Sequence, residues 1–154
     1  MIYPNNFLRK RDLFFKTEFW KKLLKKYDDY PCKRSEIYIR TNDTNSKFYV
    51  GFTRNYNRRY TNKFKERNLF KKRHNITESW LIFPIPADMD NMVLEYLVFE
   101  EMQKIFGKEN VRGAHLTREI LPDKYDIIKL KKAHFNGLCY KCYNNDHYAY
   151  NCPN

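Results

Sequence analysis

The chain has 154 residues, 42% of them hydrophobic, enough for one compact domain of ~100–150 residues and a small appendage that needs its own staple. No run of 18 apolar residues occurs, and Met1 to Lys10 lacks the apolar core of a secretory signal, so neither a membrane-spanning helix nor secretion is expected and the chain reads as a soluble, intracellular protein. The net charge of +12 is uneven: residues 1–75 hold 21 Lys/Arg against 7 Asp/Glu, which points to a polyanionic partner, with plain solubility as the alternative.

From Asn5 or Asn6 to Tyr27, Phe15, Phe19, Leu23 and Tyr27 step by four, with Trp20 and Leu24 beside them and Lys21, Lys22, Lys25 and Lys26 opposite. This predicts a basic amphipathic helix within residues 1–31, packed by its aromatic face on a core or laid on a membrane; the first is expected. Two β-rich runs, Glu36–Arg40 and Lys47–Phe52, flank the turn-forming Thr41–Ser46 and predict an antiparallel hairpin. Asn55 to Arg73 reads as a basic helix. Trp80–Ile85 reads as a third, buried strand closed by Pro84 and Pro86. Asp88 or Asp90 can cap a helix to Phe106 that ends at Gly107, and Lys124–Lys132 suggests a short helix in the linker 121–136.

The tail, residues 137–154, places Cys139, Cys142, His147 and Cys152 in a C-x2-C-x4-H-x4-C spacing. Three thiolates and one imidazole can close a tetrahedron around structural Zn²⁺, and a segment this short has no other means of folding. Cys32 stands far upstream, so metal binding in a reducing compartment fits better than a disulfide framework. The tail resembles the retroviral-type CCHC knuckle, which implies that Tyr140 and Tyr148 stack on unpaired bases. Tyr143 and Asp146 stand where that family usually has glycine. A clasp that binds nothing is the alternative.

In the middle of the chain, Glu95 shares a helical face with Met92, Val98, Phe99 and Met102 and should be a buried carboxylate. It needs a compensating cation or metal, or else it bonds a nearby Tyr or Arg simply to hold the fold. Ile37-Tyr38, Tyr49-Val50-Gly51, Arg59 eight residues later and Glu95 occur in that order. Together with the run Phe48–Asn55 and Arg58, this resembles the GIY-YIG nuclease superfamily over about Glu36 to Gly113, and the closing run Phe106–Gly113 is similar to a version of the fold found in large DNA viruses.

The resemblance implies a catalytic set of Tyr38, Tyr49, Arg59, Lys63, Glu95 and Asn110. Tyr38 would accept the proton of water, Glu95 would hold Mg²⁺ or Mn²⁺, and Arg59 would hold the scissile phosphate unless it is merely a solvated arginine. Arg54 and Arg58 would contact nucleic acid. Glu36 replaces a motif glycine, Lys63 stands where many relatives carry histidine, and Asn110 falls where some place an amide.

The expected fold is α+β, a small three-stranded antiparallel sheet flanked by helices in a domain spanning 35–120. The expected function is metal-dependent endonuclease action on DNA of single-stranded or branched character, away from membranes, in a host cell if the chain is viral. A scaffold that binds nucleic acid without cutting it, or a zinc protein that binds single-stranded RNA, are the alternatives.

Overall fold

Two helices occupy the N-terminal segment where the sequence predicts one: α1, Asn5–Phe15, and α2, Glu18–Asp29. The computed structural model describes residues 5–54, 66 and 68–153. Thr17 makes the break. Its Oγ1 donates to the Phe14 carbonyl (2.7 Å) and accepts the Trp20 N–H (3.1 Å), ending one helix and capping the next. The aromatic spacing survives because both helices press on one core: Phe14 and Leu23 are buried, and Trp20 meets Phe83 edge-on at 5.2 Å. Tyr27 donates to the Pro84 carbonyl (2.5 Å), while Lys21, Lys22, Lys25 and also Leu24 face solvent.

Strands β1, Cys32–Thr41, and β2, Phe48–Thr53, form the expected antiparallel hairpin. Asn42 shapes its turn, with Oδ1 accepting the N–H groups of Ser46 and Lys47 at 2.9 and 3.2 Å. On the other side of β1 lies β3, Glu78–Pro86, also antiparallel. Pro86 closes this strand as expected, its last residue, paired with Cys32, but Pro84 stays inside it, paired with Glu36. The reason is position: β3 is an edge of the sheet, where a missing N–H need leave no ladder bond unmade.

A fourth strand, β4, Val111–Gly113, runs parallel to β2. The sheet is therefore mixed, in the order β3-β1-β2-β4, and not the three-stranded antiparallel sheet expected. Three residues ending in glycine carry too little alternation to announce a strand. Gly113 itself has φ 138, and a Cβ there would lie 2.2 Å from the Val50 carbonyl oxygen, so only glycine lets β4 close on β2.

Helix α3, Leu69–Arg73, is capped by Asn68, and α4, Asn91–Phe106, by Asp90, whose Oδ1 accepts from Met92 and Val93. As predicted, α4 ends at Gly107, with φ 94. Helix α5, Lys124–Phe135, is longer than its sequence pattern suggests. Leu94, Val98 and Met102 of α4 join Ile37, Ile39, Val50 and Val111 of the sheet and Phe14 of α1 in one core. Each fully buried Leu, Val or Met is worth about 1.5–3 kcal/mol, so α4 is pinned across β2 and β4. Five α-helices and this sheet make the described residues α+β. No helix among them is long and apolar enough to cross a membrane.

Candidate metal centre and hairpin face

Helix α5 hands the chain directly to the cysteine-rich tail. Gly137 turns left-handed (φ 65), and the N–H groups of Gly137 and Leu138 return to the carbonyls of His134 and Ala133 at 3.3 and 2.8 Å. Cys139 follows, fully buried. Its carbonyl accepts from Tyr143 N–H and its own N–H donates to the Asn144 carbonyl, both at 2.8 Å, which closes a tight loop.

The donor atoms of Cys139, Cys142, His147 and Cys152 all lie within 4.8 Å of one another. Sulfurs sharing a tetrahedral zinc sit about 3.8 Å apart, so this Cys3His set can hold an ion such as zinc. His147 turns Nε2 to the Cys142 Sγ (3.2 Å) and Nδ1 to the Asp146 carboxylate, which makes Nε2 the ligand nitrogen. Burial opposes ionisation of Cys139, but the N–H groups of Cys142 and Lys141 and the neighbouring thiols outweigh it and bring the thiol down to about 6. Tyr143 adopts the left-handed backbone (φ 65) where the resembling knuckles have glycine, whereas Asp146 does not need it.

The two aromatic candidates of the tail differ. Tyr148 is 55% exposed. Tyr140 is half-buried against the core, with its hydroxyl 2.6 Å from His134 Nδ1 and its ring stacked on the imidazole. Burial, then the charges of Glu95, Tyr49 and Tyr148, hold the Tyr140 phenol protonated.

On the hairpin, Tyr38 pairs with Gly51 and Arg40 with Tyr49, so the two tyrosines are diagonal neighbours on one face. Tyr38 is only 2% exposed and lies across Gly51, where a Cβ would come within 2.3 Å of its hydroxyl oxygen. That contact explains the glycine of the Tyr49-Val50-Gly51 run. Lys71 Nζ sits 4.3 Å above the Tyr49 ring and 3.2 Å from the Glu66 carboxylate.

Glu95 is buried in the second turn of α4, as its neighbours predict. Its Oε1 accepts the Ala114 N–H (3.1 Å), and its Oε2 lies 4.0 Å from His134 Nε2. That nitrogen is 2.7 Å from the Met92 carbonyl, which can only accept, so Nε2 carries the proton and Nδ1 receives the Tyr140 hydroxyl. Burial lowers the His134 pKa against the pull of the Met92 carbonyl and Asp90, so the imidazole is neutral at pH 7 and its contact with Glu95 is not an ion pair.

Among the described residues, Asn110, Arg54 and Glu36 are not brought to Glu95. Asn110 lies past the far end of α4, donating to the Phe106 carbonyl and accepting from Lys47 Nζ, both at 2.7 Å. Arg54 is exposed just after β2, and Glu36 is half-buried opposite Thr53. Arg58, Arg59 and Lys63 lie outside the described residues. Among the described residues Glu95 belongs to no group of three His, Cys, Asp or Glu donors.

Comparisons with protein-family models, curated proteins and solved structures find no match. The resemblance to GIY-YIG nucleases and to CCHC knuckles therefore rests on the sequence motifs alone. Sequence reasoning passes over His134, the Ala114 N–H and the buried Lys71. His134 carries a signal only in its helical spacing from Ile127 and Leu130, and Lys71 is hidden in a run of three basic residues.

Proposed function

We propose that the protein is a metal-dependent endonuclease of GIY-YIG type that hydrolyses DNA phosphodiester bonds, with a zinc-organised tail as a second contact to nucleic acid. The observation that supports this reading best is the pair of tyrosines on one face of the hairpin, Tyr38 across Gly51 with Tyr49 diagonal to it, in a chain whose buried Glu95 supplies a carboxylate. One carboxylate, completed by water and phosphate oxygens, suits Mg²⁺ or Mn²⁺. When bound, such an ion polarises the phosphoryl oxygen and eases deprotonation of water.

The chain's own residues do the rest. Glu95 would be the carboxylate that holds the ion; Tyr38, once its phenol has been ionised by the ion's charge, takes the proton from the attacking water and returns to neutral phenol, and Tyr49 flanks it. Arg59 grips the phosphate by two parallel N–H contacts, and Lys63, Arg54 and Arg58 offset backbone charge. Cys139, Cys142, His147 and Cys152 hold a structural zinc whose binding, about 10–16 kcal/mol in comparable peptides, is the folding energy of the tail. Tyr148, exposed beside it, stacks on an unpaired base for about 1–3 kcal/mol, which favours single-stranded or branched DNA.

Incubating the full chain with Mg²⁺ and plasmid, flap or branched DNA tests this. Cleavage should occur and should be abolished by Glu95→Ala and by Tyr38→Phe. One observation favours a second reading, a binding protein that does not cut: Tyr38 is almost wholly buried, and a base must meet its water. Tight binding to the same DNA with no nicking under any divalent ion would decide for it.

A further inference from the structure

Tyr140 stands between two metal ligands in the sequence, so a bound ion fixes its backbone, yet its side chain leaves the tail and enters the body of the protein. There it stacks on His134, with ring centroids 6.2 Å apart and planes 24° apart, and donates to Nδ1 at 2.6 Å. His134 is fully buried and passes the contact on, donating from Nε2 to the Met92 carbonyl at 2.7 Å. Met92 lies one helical turn before Glu95, whose Oε2 is 4.0 Å from the same imidazole and whose Oε1 is held by the Ala114 N–H. A continuous chain of packed and hydrogen-bonded groups thus links the Cys3His cluster to the carboxylate. None of its members is an exposed, adjustable side chain.

We propose that Tyr140 and His134 are positioning residues that clamp the metal-loaded tail onto the Glu95 face, so that metal binding at the Cys3His cluster governs how firmly Glu95 and the Ala114 N–H are held. The inference rests on reading the tail as a metal site, and it adds regulation by zinc to the proposed nuclease site. Sixteen residues from Gly137 to Cys152 have no core of their own. Without the ion Tyr140 loses its anchor, the buried Nδ1 of His134 loses its donor, and the first turns of α4 lose a neighbour.

Hydrogen–deuterium exchange of the full chain, loaded with zinc and after removal by a chelator, tests the coupling without any need for cleavage. Metal removal should speed exchange at least tenfold in Met92–Val98 and Gly113–Leu116, with little change in the β1–β2 hairpin. Tyr140→Phe should still bind Co²⁺ with thiolate charge-transfer absorption, but its α4 response to the metal should fall to the level of the hairpin. His134→Gln, which keeps a donor for Met92 and loses the Tyr140 contact, should behave alike. Tyr148→Phe, altering an exposed ring, should respond as wild type.

The proposal is overturned if α4 of the wild type exchanges alike with and without metal, if the hairpin accelerates equally, or if Tyr140→Phe retains the full response. Failure of the wild type to bind zinc or Co²⁺ removes the metal-site reading and the clamp with it. Failure to cut DNA with the exchange coupling intact removes only the nuclease.

Discussion

Gly51 leaves no room for a side chain, because the Tyr38 ring occupies the place where a Cβ would stand, its hydroxyl oxygen 2.3 Å away. Gly51→Ala should therefore displace Tyr38 and cost about 1–3 kcal/mol, as overpacking of a filled site does. Urea melts of this variant and of the double variant with Tyr38→Ala check it: the cost should shrink when the ring is gone, and an equal cost in both backgrounds would show that Tyr38 is not what Gly51 accommodates. At this scale the sequence is most legible where spacing alone states the chemistry, as with the four metal ligands. Glu95 is legible too, since its helical neighbours are apolar. His134 is not, because its partners Tyr140 and Met92 lie 6 and 42 residues away and only the fold unites them.

Among the elements, the cysteine-rich tail carries a strained position. Tyr143 sits at φ 65, which costs a residue with a Cβ about 1–2 kcal/mol, while glycine there would lose about 0.5–1 kcal/mol more entropy on ordering. The balance favours Tyr143→Gly, and competition with a metal-sensitive dye should show zinc held more tightly, by less than tenfold. Weaker binding by the variant would mean that the Tyr143 side chain contributes contacts that outweigh its strain. The hairpin, β3 and α4 are readable from turn residues, β-branched runs and caps. The break at Thr17 is hidden because the four-residue aromatic step runs on across it, and β4 is hidden because three residues hold no period. Pro84 misleads for a related reason: whether proline ends a strand depends on the strand's place in the sheet, which local sequence does not state.

For the whole molecule, acid should be destabilising through histidine. Burial, with His134 and Lys131 adding to it and Glu100 opposing, lowers His115 to about 4 from its ordinary 6.5. The unfolded chain takes up a proton below 6.5 that the folded chain refuses, so this contribution is complete above 6.5 and drains away as pH falls toward 4. At about 1.4 kcal/mol per tenfold change in proton affinity, the loss is on the order of 3 kcal/mol. Denaturant midpoints of wild type and His115→Phe between pH 7 and 4 should diverge in slope, the variant being flatter; parallel curves would mean that His115 takes up its proton as readily in the fold as in the unfolded chain. His134, lowered in the same direction, leaves the variant a residual slope.

The borders of the sheet have a consequence for crowding. One border is β3, carrying two residues without an N–H, and the other is β4, only three residues long. Neither offers a foreign strand a ladder worth joining, so copies of this chain held shoulder to shoulder at high concentration have no edge from which to seed cross-strand aggregates.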